Sequence, residues 1–177
     1  MKLTRILLTC LSALALCSCG EKKTSTSDKS APTTESLQSL ILESAPADAQ
    51  QIFEIRKAAK EGDKVVISGK VMGRKDPFVD GRAIMMIGDP NKITSCDLNH
   101  DDACPTPWDV CCDDPDVIKA STLTVQVVDT DGKLVKEGLK GLGGMKELSQ
   151  LVVVGTVADG SNAENMFINA TGFYIRD

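Results

Sequence analysis

The spacing of apolar residues changes along the chain, and each change marks a boundary. Lys2 and Arg5 precede an apolar run of eleven residues at 6–16. That run is too short to span a bilayer and has the layout of a secretory signal peptide. Residues 20–36 are polar, rich in Ser and Thr, and contain Pro32, which predicts a flexible tether. A short apolar patch follows at Leu37, Leu40, Ile41 and Leu42. Pro46 then suits the first turn of a helix running to about Lys60, with Ile52, Ile55 and Ala59 on one face and Gly62 as its stop.

Beyond Gly62 the period drops to two. Val65, Ile67, Gly69 and Val71 alternate with Val66, Ser68, Lys70 and Met72, giving a first strand in which glycine marks a bend. Residues 82–88 give a second strand with Ala83, Met85 and Ile87 on one face. Leu123, Val125 and Val127 define a third, closed by the turn Asp129-Thr130-Asp131-Gly132. A glycine-broken stretch at 138–144 leads to a single helical turn at 145–148. A fourth strand at 151–157, a hairpin loop at 159–162 and a fifth strand at 167–175 complete the pattern.

Two resemblances follow from these residues. Leu16-Cys17-Ser18-Cys19 resembles the lipobox of bacterial lipoproteins, with an apolar residue at minus three, a small one at minus one and then cysteine. The resemblance implies cleavage after residue 18 and lipidation of Cys19. The protein would then sit in the cell envelope, anchored to a membrane and facing the periplasm or the exterior. The element order of residues 63–177, five short strands with a short helical connection between the third and fourth, resembles the oligonucleotide/oligosaccharide-binding (OB) fold. The fold class expected is therefore mainly β: a small five-stranded Greek-key barrel preceded by an N-terminal helix. The domain division is a signal peptide at 1–18, lipidated cysteine and linker at 19–36, a helical segment at 37–62, and the barrel at 63–177.

Charge narrows the partners. Removing Lys2 and Arg5 with the leader leaves 18 basic residues against 25 acidic ones, a net charge of −7. Such a surface disfavours phosphate backbones. The six aromatic residues Phe53, Phe78, Trp108, Phe167, Phe173 and Tyr174 are few for a protein that stacks bases. Nucleic acid is accordingly not an expected partner, despite the fold name.

The second and third strands are separated by far more chain than a hairpin needs. Residues 89–117 hold Cys96, Cys104, Cys111 and Cys112, the single histidine His100, the single tryptophan Trp108 and eight aspartates. The run Cys104-Pro-Thr-Pro-Trp-Asp-Val-Cys111-Cys112 resembles a motif of exported bacterial proteins with a small barrel domain, a resemblance that implies no activity. Four readings compete. Four cysteines in an exported domain suggest two disulfides, with Cys96 and Cys104 each taking one of the vicinal pair and Trp108 packing over the staple. Cys96, His100, Cys104, Cys111 and Cys112 are also ligand types for Zn or Cu. A redox pair at Cys111-Cys112 is opposed by Asp109, Asp113 and Asp114, which raise a thiol pKa. Asp97, Asn99 and Asp101 follow the first positions of a calcium loop, but Asp102 and Trp108 stand where that loop needs glycine and glutamate.

Arg74, Lys75 and Arg82, with Phe78, flank the turn where an OB barrel can hold an anionic ligand, although a basic turn is ordinarily just solvated. The glycines at 138–144 lack the phosphate-loop arrangement. No Ser/His/Asp set can be built around His100, so no catalytic residue is expected and no cofactor is required. The expectation is a non-enzymatic binding or scaffolding module in the envelope, meeting a protein or small molecule. Metal handling by the cysteine cluster is the alternative.

Overall fold

The structure is a computed structural model that describes residues 37–99 and 104–176. The expected signal peptide, Cys19 and the expected linker, together with His100, Asp101 and Asp102, lie outside the described residues. Among the described residues no helix is long and apolar enough to cross a membrane.

The strands are β1 (Gln50–Gln51), β2 (Lys64–Lys70), β3 (Ile84–Gly88), β4 (Thr122–Gln126), β5 (Gln150–Val157) and β6 (Phe167–Arg176), with helices α1 (Ile52–Ala58) and α2 (Pro115–Ala120). They form one sheet in the order β1-β2-β3-β4-β6-β5, and β2 also pairs with β5. That last pairing closes a five-stranded barrel and leaves β1 as one extra strand. All barrel pairs are antiparallel except β4 with β6, which is parallel. This is the OB-type arrangement expected from the element order.

Alternation explains the closure. In β2 the residues Val65 and Ile67 turn inward, and Met85 and Ile87 of β3, Leu123 and Val125 of β4, Leu151 and Val153 of β5, and Ile168 and Phe173 of β6 meet them in one buried cluster. Most of these side chains have no exposed surface. Two glycines are required by close approach. A Cβ at Gly69 would meet Ile52 and Ile87 at 3.0 Å, so this is where α1 and β3 press onto the bending strand. A Cβ at Gly155 would stand 2.6 Å from the Asn169 carbonyl, where β5 and β6 slip register and Thr171 is the extra residue.

The helix expected from Pro46 is shorter than its sequence signal. Asp48 adopts a left-handed conformation (φ 59°), and Gln50 and Gln51 pair in parallel with Ile67 and Ser68. Backbone groups on the unpaired side of β2 capture these residues, overriding a weak local helix preference. The helical segment begins only at Ile52, with Ile52 and Ile55 buried over the barrel. The apolar patch packs as well: Leu37 is buried, the Phe173 N–H donates to the Leu40 carbonyl, and the Leu42 N–H donates to the Phe173 carbonyl. The β4–β5 connection carries a 3-10 turn at Leu142–Gly144 rather than the helical turn expected at 145–148. Gly141, Gly143 and Leu148 all take positive φ, which breaks any regular helix there. Leu139, Leu142 and Met145 from this connection join the main core.

Candidate functional site

The cysteine insertion leaves β3 at Asp89 and rejoins the barrel at Ser121, and these two ends are tied by an N–H to carbonyl bond of 2.8 Å. Asp89 is fully buried. Its carboxylate accepts from the N–H groups of Phe53 and Asn91, so the loop base is locked to α1. Asp114 caps α2 by accepting from the Asp116 and Val117 N–H groups, and Pro115 opens that helix.

Between these ends the loop folds back on itself. A 3-10 turn at Cys96–Leu98 lies beside residues 106–109: the Cys96 N–H donates to the Asp109 carbonyl at 2.9 Å, and the Asp97 N–H to the Pro107 carbonyl at 2.7 Å. Met72, Ile93 and Val110 make a second, smaller core, with Trp108 and Ile118 packed against it. Trp108 therefore covers this apolar cluster. Its indole N–H donates to the Lys75 carbonyl at 2.7 Å, and the Gly73 N–H donates to the Trp108 carbonyl, which ties the insertion to the β2–β3 connection.

An internal cation fastens the loop to the barrel wall. Lys70, at the end of β2, is 8% exposed, and its ammonium donates to Ser95 Oγ at 2.9 Å. The Asp97 carboxylate stands 3.4 Å away and accepts from the Ser95 hydroxyl. Sequence reading missed Lys70 and Ser95. Lys70 sits in the outward register of β2, and nothing local says that the insertion covers that part of the wall.

Three of the four domain thiols come together. The sulfurs of Cys96, Cys104 and Cys111 all lie within 4.8 Å of one another, with Cys96 buried, Cys104 half-buried and Cys111 exposed. Cys112 is exposed and stands outside this triad. Cys104 Sγ lies 3.4 Å from Thr106 Oγ1. Burial first, and then the neighbouring Cys104 and Cys111, push the Cys96 thiol up to about 12. That direction opposes a thiolate nucleophile and so argues against exchange chemistry at this cluster.

The acidic side chains around the triad are occupied in turns. Asp113 accepts from the Thr94 N–H at 2.6 Å, and Asp109 from the Val110 N–H at 2.8 Å. Asp97, the first residue of the calcium-like pattern, faces Lys70, so its carboxylate is already committed to a cation. The turn residues Arg74, Lys75 and Arg82 are exposed, but Phe78 is buried and bridges to Met85. Phe78 belongs to the main core, so its ring does not share the exposed face of these three cations. Trp108 is the aromatic group near the turn. A separate open cleft of about 250 Å³ beside α1 is lined by Phe53, Arg56, Lys57, Asp116 and Lys119. Arg56 there is held by the carbonyls of Thr122 and Ala163.

Comparison of the chain with protein-family models, with curated proteins and with solved structures finds no match.

Proposed function

We propose that this chain is a lipid-anchored cell-envelope protein whose barrel is a non-enzymatic binding or scaffolding module, working through the 89–117 loop. One observation carries the reading: the barrel interior is filled by side chains, whereas the reactive side chains gather on the loop that covers its wall. A filled interior leaves recognition to the outer surface. The loop supports such a role because Asp89, Lys70 and the Trp108 contacts tie its described residues to the barrel, and a preorganised surface loses little entropy on binding. Anchoring through Cys19 rests on the lipobox resemblance. The partner expected is an envelope protein or a small molecule that meets the loop and the adjacent turn at Arg74, Lys75 and Arg82.

The test uses the full-length chain in a Gram-negative host. Wild-type protein should fractionate with membranes and gain acyl mass at Cys19, and Cys19→Ala should abolish both. Chemical cross-linking in intact cells should then join one defined partner to the wild-type chain. Trp108→Ala should weaken that product, and a distant control, Thr171→Ser, should leave it intact. An unacylated soluble chain, or cross-links indifferent to the loop, would refute the proposal. The second reading, metal handling, is favoured by the convergence of three thiols and leads to a more specific site.

A further inference from the structure

We propose that Cys96, Cys104 and Cys111 form a three-thiolate site for a soft d10 metal ion, Cu(I) in preference to Zn²⁺. The inference goes beyond the anchoring and scaffolding reading and does not depend on it.

The geometry is the first support. Three sulfurs held about 2.3 Å from one ion, the usual thiolate–zinc distance, stand roughly 3.8–4.0 Å apart. The triad already lies within 4.8 Å, so closure requires a contraction of at most about 1 Å. Exposed Cys111 can supply that movement by side-chain rotation, while Cys96 stays fixed by its buried position and its N–H bond to Asp109. The converging number is the second support. Disulfides consume sulfurs in pairs, and any bridge inside the triad leaves a third sulfur beside it. Joining all four cysteines would bring in Cys112 from outside the group.

Ligand type and number then select the metal. Soft thiolates favour Cu(I) and Zn²⁺ over hard cations. Zinc ordinarily completes four positions, and among the described residues three sulfurs converge, which would leave one of them open. Cu(I) is satisfied by three thiolates. Binding would release the three thiol protons to solvent and leave the copper as Cu(I), so no electron is transferred. The aspartates of the loop favour approach of a cation in either case, and the locked loop base keeps the donors together before the ion arrives.

The full-length chain, purified anaerobically with its thiols reduced, would be titrated with Cu(I) against a chromophoric Cu(I) chelator, and separately with Zn²⁺. The expected result is uptake of one Cu(I) per chain, with ultraviolet thiolate-to-metal absorption and a nearest shell of three sulfurs by X-ray absorption. Cys104→Ser and Cys111→Ser should each weaken binding at least tenfold. Cys112→Ser should leave it unchanged, and Cys19→Ala should remove the anchor without altering uptake. Cys96→Ser alters a buried position, so circular dichroism accompanies it, and the exposed Cys111 variant keeps the test decisive. Failure to take Cu(I) from the chelator would overturn the proposal. So would uptake indifferent to Cys111→Ser, loss on Cys112→Ser equal to that on Cys104→Ser, or retention of Zn²⁺ with refusal of Cu(I).

Discussion

Replacing Lys70 by Met should loosen the cysteine loop while leaving the barrel folded. Methionine keeps most of the apolar stem that Lys70 buries, so the change removes the ammonium with little loss of packing. The ammonium makes one close bond, 2.9 Å to Ser95 Oγ, and a longer pairing with Asp97 at 3.4 Å. A hydrogen bond to a charged group contributes roughly 1.5–3 kcal/mol. The Asp97 side chain is 28% exposed and therefore screened, which places its share near the lower values of surface pairs. The expected loss is about 2 kcal/mol, or about 4–8 °C in Tm for a domain of this size. Urea denaturation gives the free energy. Hydrogen exchange locates it: the Cys96 and Asp97 N–H groups should lose protection, while amides of β5 and β6 change only by the global amount. A double-mutant cycle with Asp97→Asn isolates the pair and should give a coupling of about 0.5–1 kcal/mol. Unchanged loop exchange together with a coupling near zero would show that the cation does not fasten the insertion.

Four further outcomes are expected. Gly155→Ala drives a Cβ to 2.6 Å from the Asn169 carbonyl and should cost about 3 kcal/mol in urea denaturation, whereas Gly160→Ala, strained only by its φ of 80°, should cost about 1 kcal/mol. In the reduced, metal-free chain at pH 8, alkylation followed by peptide mass spectrometry should label Cys111 and Cys112 first and Cys96 last. A thiol at about 12 is ionised there in roughly one molecule in ten thousand. Because the folded state holds that proton more tightly than the unfolded chain, stability should also fall as pH rises from about 9 towards 12. Burial pushes Glu147 up, but the Lys140 ammonium at 2.6 Å and its own backbone N–H bring the carboxyl below its ordinary value. The stability this contributes is present above the unfolded carboxyl pKa and lost as pH falls through the folded one. Lys140→Met should therefore flatten the decline in urea midpoint between pH 5 and pH 3, by less than about 1 kcal/mol because Lys140 is exposed.

The five barrel strands were legible from apolar residues that alternate, as Val65 and Ile67 do in β2, or run together, as Leu151 to Val154 do in β5. The barrel class followed from the resemblance of their order to the OB fold, without any individual pairing being readable. What was not legible depends on contacts between distant segments. Gln50 and Gln51 became a strand because β2 offers backbone groups to them, and no pattern near Pro46 encodes that. Phe78 reads as a turn residue but is drawn inward beside Met85. Lys70 reads as a solvated strand position, yet the insertion folds over it. The cysteine spacing of eight and then seven residues fits no regular element or common zinc module. Only the irregular path of the loop, with 96–97 hydrogen-bonded beside 107–109, reveals that Cys96 and Cys111 are neighbours.

Closure of β2 onto β5 has a consequence for how this protein meets others. A sheet with a long open flank invites another chain to lie alongside it through main-chain bonds, which is both a recognition mode and a route to aggregation. Here β2, β5 and β6 are paired along most of their lengths, β2 and β3 meet at one pair, Lys70 with Gly88, and the one extra strand is two residues long. The long strands β5 and β6 therefore offer little free edge for strand addition. Copies at high concentration would also have little tendency to zip together into fibres.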